Sequence, residues 1–422
     1  MKMTRHATVF GAVLGWLLLL AMPSRAEDFF FKDGDKVVMI GDSITEQYLY
    51  SSYVELWTLT RFPNARITFR NVGIGGDTSP GGNGRFKRDV LVHKPTVMTV
   101  DFGMNDGGYG GFVPERYKTY MNGLQGMADQ AKEAKIRVAW ITPQPIEKPQ
   151  QEPALKGYNE TLEKFSAGVK EIADNNQGLF IDQFHPYLQV LEKGRPNGEG
   201  KPITGGDAVH PGFPGQTVMA ATILRDMHFP KLVSAVEIDA GTGKVITADN
   251  CKVTDVDAKA DRVQFERQDG ALPFFPAGAE SILKVTPIRD ELNDYRLKVT
   301  GLKDGKYSVL LGGKKVADFN ADQLAKGVNL AEVALTTGPV ADQVKTVVAT
   351  VQAKNDYYHN RIFRGVTLAN VPDWLAVDAK YVEDKRQAAV ADRMAKLPEF
   401  DAAIEKALQI KPHLVEIVPV EK

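Results

Sequence analysis

The chain has almost no cysteine: Cys251 is the only one in 422 residues. No internal disulfide can form, and a structural zinc site lacks its second sulfur, while the seven histidines are scattered. An excess of either charge is also missing, with 52 Lys and Arg against 53 Asp and Glu. Without residues 1–26, which hold three basic and no acidic side chains, 49 basic residues face 53 acidic ones, a net charge of −4. That balance speaks against a nucleic-acid or anionic-membrane surface. Long apolar runs are absent beyond Val9–Met22, and no internal repeat or low-complexity tract is visible.

That one run sits in a recognisable context. Lys2, Arg5 and His6 precede it, and Ser24-Arg25-Ala26 follows with small residues at the two positions a signal peptidase reads. Residues 1–26 are therefore expected to be an export signal, with the protein periplasmic or secreted; an uncleaved anchor is the alternative. No stable membrane insertion is expected after removal, and the lack of a following cysteine excludes a lipoprotein. The remainder is ordinary globular material, 43 % hydrophobic and 25 % charged across the chain, with length enough for two or three domains.

From Asp35 to about Leu232 the pattern alternates. Strand-like segments at Val37–Ile40, Ile67–Asn71, Val97–Asp101, Val138–Thr142 and Leu179–Asp182 are separated by helical ones. Tyr117, Tyr120, Met121, Leu124, Met127 and Ala131 form one apolar stripe, and Leu155, Tyr158, Leu162, Phe165, Val169 and Ile172 another. A helix is expected from Thr45 to Leu59 and a last one from Phe213 to Met227. This predicts a three-layer α/β/α fold of the flavodoxin-like kind, with about five parallel strands. Beyond it, residues 233–335 read as a β-rich accessory segment with a meander through Arg296–Thr300, Tyr307–Leu311 and Lys315–Phe319. Residues 336–422 read as helical. The full division is 1–26, 27–232, 233–335 and 336–422.

Four short blocks fall at strand ends or loops of the α/β part: Gly41-Asp42-Ser43, Asn71 to Thr78 (NVGIGGDT), Gly103-Met104-Asn105-Asp106, and Asp207-Ala208-Val209-His210-Pro211-Gly212. Ester cleavage needs a nucleophile, a base and a group that orients the base. Ser43 supplies a hydroxyl at the end of a buried strand, where open α/β sheets place their sites. His210 supplies an imidazole, which ordinarily titrates near neutrality. Asp207, three positions earlier, is close enough for a local turn to bring its carboxylate to the ring. The oxyanion needs preorganised donors; Ser43 N–H, a glycine amide of the second block and the Asn105 side chain are candidates. Each has a plainer role open to it: Ser43 or Thr45 as a helix cap, Asn105 as a turn residue before Gly107–Gly111, His210 as a surface residue. His185 is a rival base, because Asp182-Gln183-Phe184-His185 repeats the Asp-x-x-His spacing.

Together and in this order the four blocks resemble the SGNH (GDSL-type) serine hydrolase family, over roughly residues 35–232. The resemblance implies a carboxylic ester hydrolase needing no metal and no cofactor. It implies Ser43, Asp207 and His210 as the catalytic set, with Ser43, Gly76 and Asn105 as the oxyanion hole. By the same analogy the oxyanion glycine is the one before Asp77-Thr78, hence Gly76, with Gly75 as the fallback. There is no Gly-x-Ser-x-Gly elbow, no P-loop and no dinucleotide fingerprint. The Gly-rich stretch from Gly73 to Gly84 is read as a flexible wall of the cleft, with Pro80–Arg85 shaping access.

The export signal, the accessory β segment, and Trp57, Tyr109 and Arg85 read as near the cleft point to small acyl esters, O-acetyl groups on polysaccharide first. A periplasmic lysophospholipase or thioesterase is the second expectation, and a non-catalytic carbohydrate-binding protein on the same scaffold the third. The β segment is read as a brace rather than a binding module, because helices after it would pack back on the main domain.

Overall fold

The computed structural model describes residues 28–147, 155–376 and 378–420. The expected export signal lies outside the described residues. Five strands, β1 (Lys36–Gly41), β2 (Thr68–Asn71), β3 (Val97–Asp101), β4 (Arg137–Ile141) and β5 (Leu179–Ile181), form a parallel sheet in the order β2-β1-β3-β4-β5. Alternation along each strand divides two cores. Val37 and Met39 face one side with Val97, Ala139 and Ile141, while Val38 and Ile40 face the other with Met98, Val100 and Trp140. The first core is covered by α2 (Tyr50–Arg61), α6 (Phe184–Gly194) and α7 (Phe213–Asp226). The second is covered by α3 (Ser79–Asp89), α4 (Pro114–Glu133) and most of α5 (Tyr158–Asn175). This is the expected three-layer fold. The chain passes from β1 to β2 on one side and then crosses back to β3 on the other side of β1, which opens a crevice at their carboxyl ends.

Two local expectations change. The helix after β1 is split into α1 (Ser43–Glu46) and α2, because Tyr48 between them takes φ +58° and interrupts the ladder. The stretch read as a flexible wall is in part α3. Its glycines serve packing: a Cβ at Gly82 would lie 2.7 Å from the Phe102 ring, and one at Gly123 of α4 would lie 2.5 Å from the Pro80 nitrogen. Intrinsic propensity disfavours such a helix by about 1 kcal/mol per glycine relative to alanine; close approach to α4 and the sheet supports it instead.

The second half holds two sheets. One has the order β13-β10-β6-β7, from Val328–Asn329, Asp294–Thr300, Leu232–Asp239 and Lys244–Asp249. The other has the order β12-β11-β14-β9-β8, from Lys314–Asn320, Lys306–Leu311, His413–Pro419, Arg262–Asp269 and Cys251–Lys259. The expected meander is only half present. β11 and β12 pair across Gly312-Gly313, but β10 runs parallel to β6 in the other sheet. The five residues Gly301–Gly305 are not a tight hairpin link and carry the chain between sheets. The segment expected to be helical to its end instead closes with strand β14, antiparallel to both β11 and β9. His413, Val415 and Ile417 are its buried face, an alternation visible in the sequence.

The helix Pro339–Tyr357 returns to the α/β part. Lys354 places its ammonium on the Glu55 carboxylate of α2 and 3.2 Å from the Phe69 carbonyl, and Asn355 donates to Glu55 at 3.1 Å, all buried. Among the described residues no helix is long and apolar enough to cross a membrane.

Candidate active site

β1 stops at Gly41 because nothing larger fits: a Cβ there would lie 2.1 Å from Thr45 Oγ1 and 2.6 Å from the Asp101 carbonyl. Asp42 then caps α1, its Oδ1 accepting from the Ile44 amide at 2.9 Å. Ser43 is the first residue of that helix, so its N–H is one the helix itself leaves unbonded. Burial drives the Asp42 carboxyl up to about 7, against the pull of the Ile44 amide and with help from the carboxylates of Asp106 and Asp77.

The opposite wall is the loop before α7. An isolated bridge between Gly206 and Pro211 folds it back on itself, with Asp207 N–H donating to the His210 carbonyl at 3.2 Å. Gly206 has φ +69°, and a Cβ there would meet the His210 carbonyl at 2.0 Å. Asp207 Oδ1 accepts from the amides of Val209 and His210 at 2.8 and 2.7 Å, leaving Oδ2 3.1 Å from His210 Nδ1. Desolvation opposes ionisation of Asp207, but these amide bonds and the imidazole outweigh it and hold its carboxyl below the usual range. With Nδ1–H given to Asp207, Nε2 is the acceptor, and it lies 3.0 Å from Ser43 Oγ. The loop is pinned by buried Glu147, which accepts from Ile203 N–H at 2.9 Å and Thr204 N–H at 3.2 Å, and from the Thr204 hydroxyl.

Asn105 follows β3. Its Nδ2 donates to the Asp77 carbonyl at 2.8 Å and lies 3.4 Å from Asp42 Oδ2, while the Tyr109 hydroxyl donates to its Oδ1. The Asp77 carbonyl, which can only accept, decides which end of the amide is nitrogen, and the tyrosine hydroxyl then donates to the other. Gly76 has φ +75°, and its N–H makes no hydrogen bond among the described residues. The Gly75 N–H is already given to Glu46 Oε2 at 2.6 Å. Of the two glycines, Gly76 has the unoccupied donor. Asp106 and Asp77 brace loops: Asp106 accepts from the Ser79 amide at 2.9 Å and its hydroxyl at 2.8 Å, and Asp77 meets Arg85 Nε at 2.7 Å.

His185 and Asp182 reproduce the same local pairing, Nδ1 to Oδ2 at 2.7 Å, but the imidazole is half-exposed at the start of α6 with Glu163 as its other neighbour. It is not brought to Ser43. Two residues read as near the cleft do not offer their side chains to a substrate, though Arg85 lies beneath the site. Trp57 is fully buried against Phe274, 5.2 Å between ring centroids. Arg85 is buried and spent on Asp77, Asp89 and the carbonyls of Val72 and Gly41. Tyr109 does stand beside the site. Glu147 and Glu46 escaped sequence reasoning because each acts through partners distant in the chain, with no motif around it. Among the described residues no group of three or more His, Cys, Asp or Glu is placed to hold a metal ion.

This geometry has relatives. Residues 39–218 match the model of the GDSL-like Lipase/Acylhydrolase family. An acetylxylan esterase of Geobacillus stearothermophilus is 27 % identical over 217 residues, 46 % of this chain and 95 % of that one. Its crystal structure covers 48 % of this chain and 97 % of its own at a TM-score of 0.42. A gut microbial diltiazem-metabolizing enzyme matches 92 % of this chain and 98 % of its own at a TM-score of 0.79 and 26 % identity, so the second half is shared as well. The α/β part of this protein belongs to the GDSL-like lipase/acylhydrolase family, and the protein is a carboxylic ester hydrolase.

Proposed function

We propose that this protein is an exported serine esterase that removes small acyl groups, O-acetyl on carbohydrate first among them. The observation that carries the chemistry is the 3.0 Å approach of Ser43 Oγ to His210 Nε2, with Asp207 on the far ring nitrogen. His210 takes the Ser43 proton as Oγ attacks the ester carbonyl, and Asp207 holds the ring and stabilises the imidazolium. The oxyanion is received by the amides of Ser43 and Gly76 and by the Asn105 side chain. Collapse transfers the His210 proton to the leaving alcohol, and water repeats the cycle on the acyl-serine. Acetylated carbohydrate is supported by the relative named acetylxylan esterase. The relative matched along nearly the whole chain is named for metabolizing diltiazem, so that compound joins the substrate panel. Export rests on residues 1–26 alone, and cell fractionation with N-terminal sequencing of the purified protein tests it.

A second reading has its own observation. A groove of about 730 Å³ runs between the two halves, lined by Tyr53, Leu56, Phe213, Phe275, Val344 and Val348 among others. Its apolar walls suit a longer acyl chain, as in a lysophospholipase or thioesterase. Turnover of p-nitrophenyl acetate against p-nitrophenyl decanoate separates the two, with Ser43→Ala as control. Preference for acetate is expected; preference for decanoate overturns the acetyl reading, and no turnover of either favours a binding protein. Activity surviving in His210→Ala but lost in His185→Ala would reverse the assignment of the base. Acetate release from a panel of acetylated polysaccharides then names the substrate.

A further inference from the structure

The proposed oxyanion amide belongs to a segment with little stiffness of its own. Gly75 and Gly76 are adjacent and form the middle of a turn closed by the Asp77 N–H on the Ile74 carbonyl at 3.1 Å, and two glycines in a row let such a turn pivot unless its entry is held. Glu46, the last residue of α1, holds that entry, the peptide between Ile74 and Gly75. Its Oε2 accepts the Gly75 N–H at 2.6 Å. The loop is pressed against α1, since a Cβ at Gly73 would lie 2.5 Å from the Glu46 nitrogen, and one at Gly75 would come within 4.0 Å of Ser43 Cβ. The other oxygen of Glu46 is gripped by Arg364, with Nε at 2.5 Å and Nη2 also in contact. Arg364 comes from the helical stretch Tyr358–Thr367 in the last third of the chain. That stretch is itself anchored to the α/β part, Tyr358 Oη lying 2.7 Å from His93 Nε2.

We propose that Arg364 is a positioning residue for the ester hydrolase site: its guanidinium fixes the Glu46 carboxylate, which fixes the Gly75 N–H and so aims the Gly76 amide at the oxyanion. The C-terminal half is then part of the working site and not an appended module. A guanidinium suits this task because two of its N–H groups converge on Oε1 and leave Oε2 to the Gly75 amide, a two-point grip that a single ammonium makes less well. The inference rests on the Ser43–His210 reading above.

Steady-state kinetics on p-nitrophenyl acetate and inhibition by phenylboronic acid test it, because the boronate adduct on serine places an oxygen where the oxyanion forms. Arg364→Ala is expected to lower kcat about tenfold, less than the roughly 10²–10³ lost when a donor is removed outright. KM should stay within about twofold, and boronate affinity should fall in step with kcat. Arg364→Lys should recover part of the loss, with Glu46→Gln in between. A kcat for folded Arg364→Ala within about twofold of the parent, or a fall in kcat with boronate affinity unchanged, overturns the proposal. If Arg364→Ala does not fold, Arg364→Lys and Glu46→Gln carry the same comparison. Full turnover by Ser43→Ala would instead sink the mechanism on which the proposal rests, a distinct result.

Discussion

Two side chains near Ser43 do their work without touching a reacting atom. Tyr109 donates to Asn105 Oδ1 and so steadies an amide whose nitrogen the Asp77 carbonyl already orients. Tyr109→Phe removes that donor and loosens the amide; kcat on an acetyl ester should fall about tenfold, less than the roughly 10²–10³ for a donor removed outright, with thermal stability little changed. Asp42 is held at the strand end by burial, with its carboxyl raised to about 7. A raised carboxyl binds a proton in the folded state that the unfolded state releases between about pH 4 and 7. Its contribution is therefore intact at acidic pH and lost as pH rises through that window. Asp42→Asn mimics the protonated form and keeps an oxygen for the Ile44 amide. Urea unfolding should show the variant and parent alike at pH 4, and the variant more stable at pH 8 by on the order of 2–4 kcal/mol. Equal difference at both pH values would refute the assignment.

Among the elements, the contact between α2 and the helix Pro339–Tyr357 is the one with most at stake. Lys354 and Glu55 are both buried, and the low dielectric that strengthens their attraction makes either costly alone. Burial pulls the Lys354 ammonium below its ordinary range, with Glu55 opposing. Lys354→Met leaves Glu55 unpaired and should cost about 3–5 kcal/mol in a denaturation experiment, while adding Glu55→Leu should return much of it. A double variant no better than the single would show that the loss lies in packing and not in the stranded charge. The same element scale explains the one helix misread as loop: α3 is poor in helix formers and rich in glycine, so local propensity pointed away from it, and contacts with Phe102 and α4 decided it.

For the molecule as a whole, the decisive strand is the last. β14 fills the gap between β9 and β11, so residues 413–419 complete a sheet begun some 160 positions earlier, at Cys251. Deleting residues 411–422 exposes two strand edges and uncovers Val415 and Ile417 partners; the shortened protein should melt at clearly lower temperature and aggregate on heating, read by calorimetry and light scattering. An unchanged melting temperature would mean that the sheet closes without it.

Much of this was legible in the chain beforehand. The central parallel strands follow from short, mostly apolar runs, because a strand buried on both faces is apolar at nearly every position, while the edge strand β2 carries Arg70. The Asp-x-x-His turn follows from spacing, because three residues bring a carboxylate to a ring by local geometry alone, as the pairs at Asp207–His210 and Asp182–His185 both illustrate. Between those two imidazoles the chain favoured His210 only through the Pro211-Gly212 that follows it and the family resemblance. Only the packed structure brings one of them within 3.0 Å of Ser43, since the approach joins residues 167 positions apart through the sheet and α7. The same holds for Trp57 and Arg85, whose types suit a sugar cleft but whose places are set by Phe274 and Asp77. It holds too for Glu46 and Arg364, whose pairing spans 318 positions. Periodicity and turn chemistry act over a few residues and survive in one dimension. Which distant side chains meet depends on how whole elements pack, and that is settled only when they do.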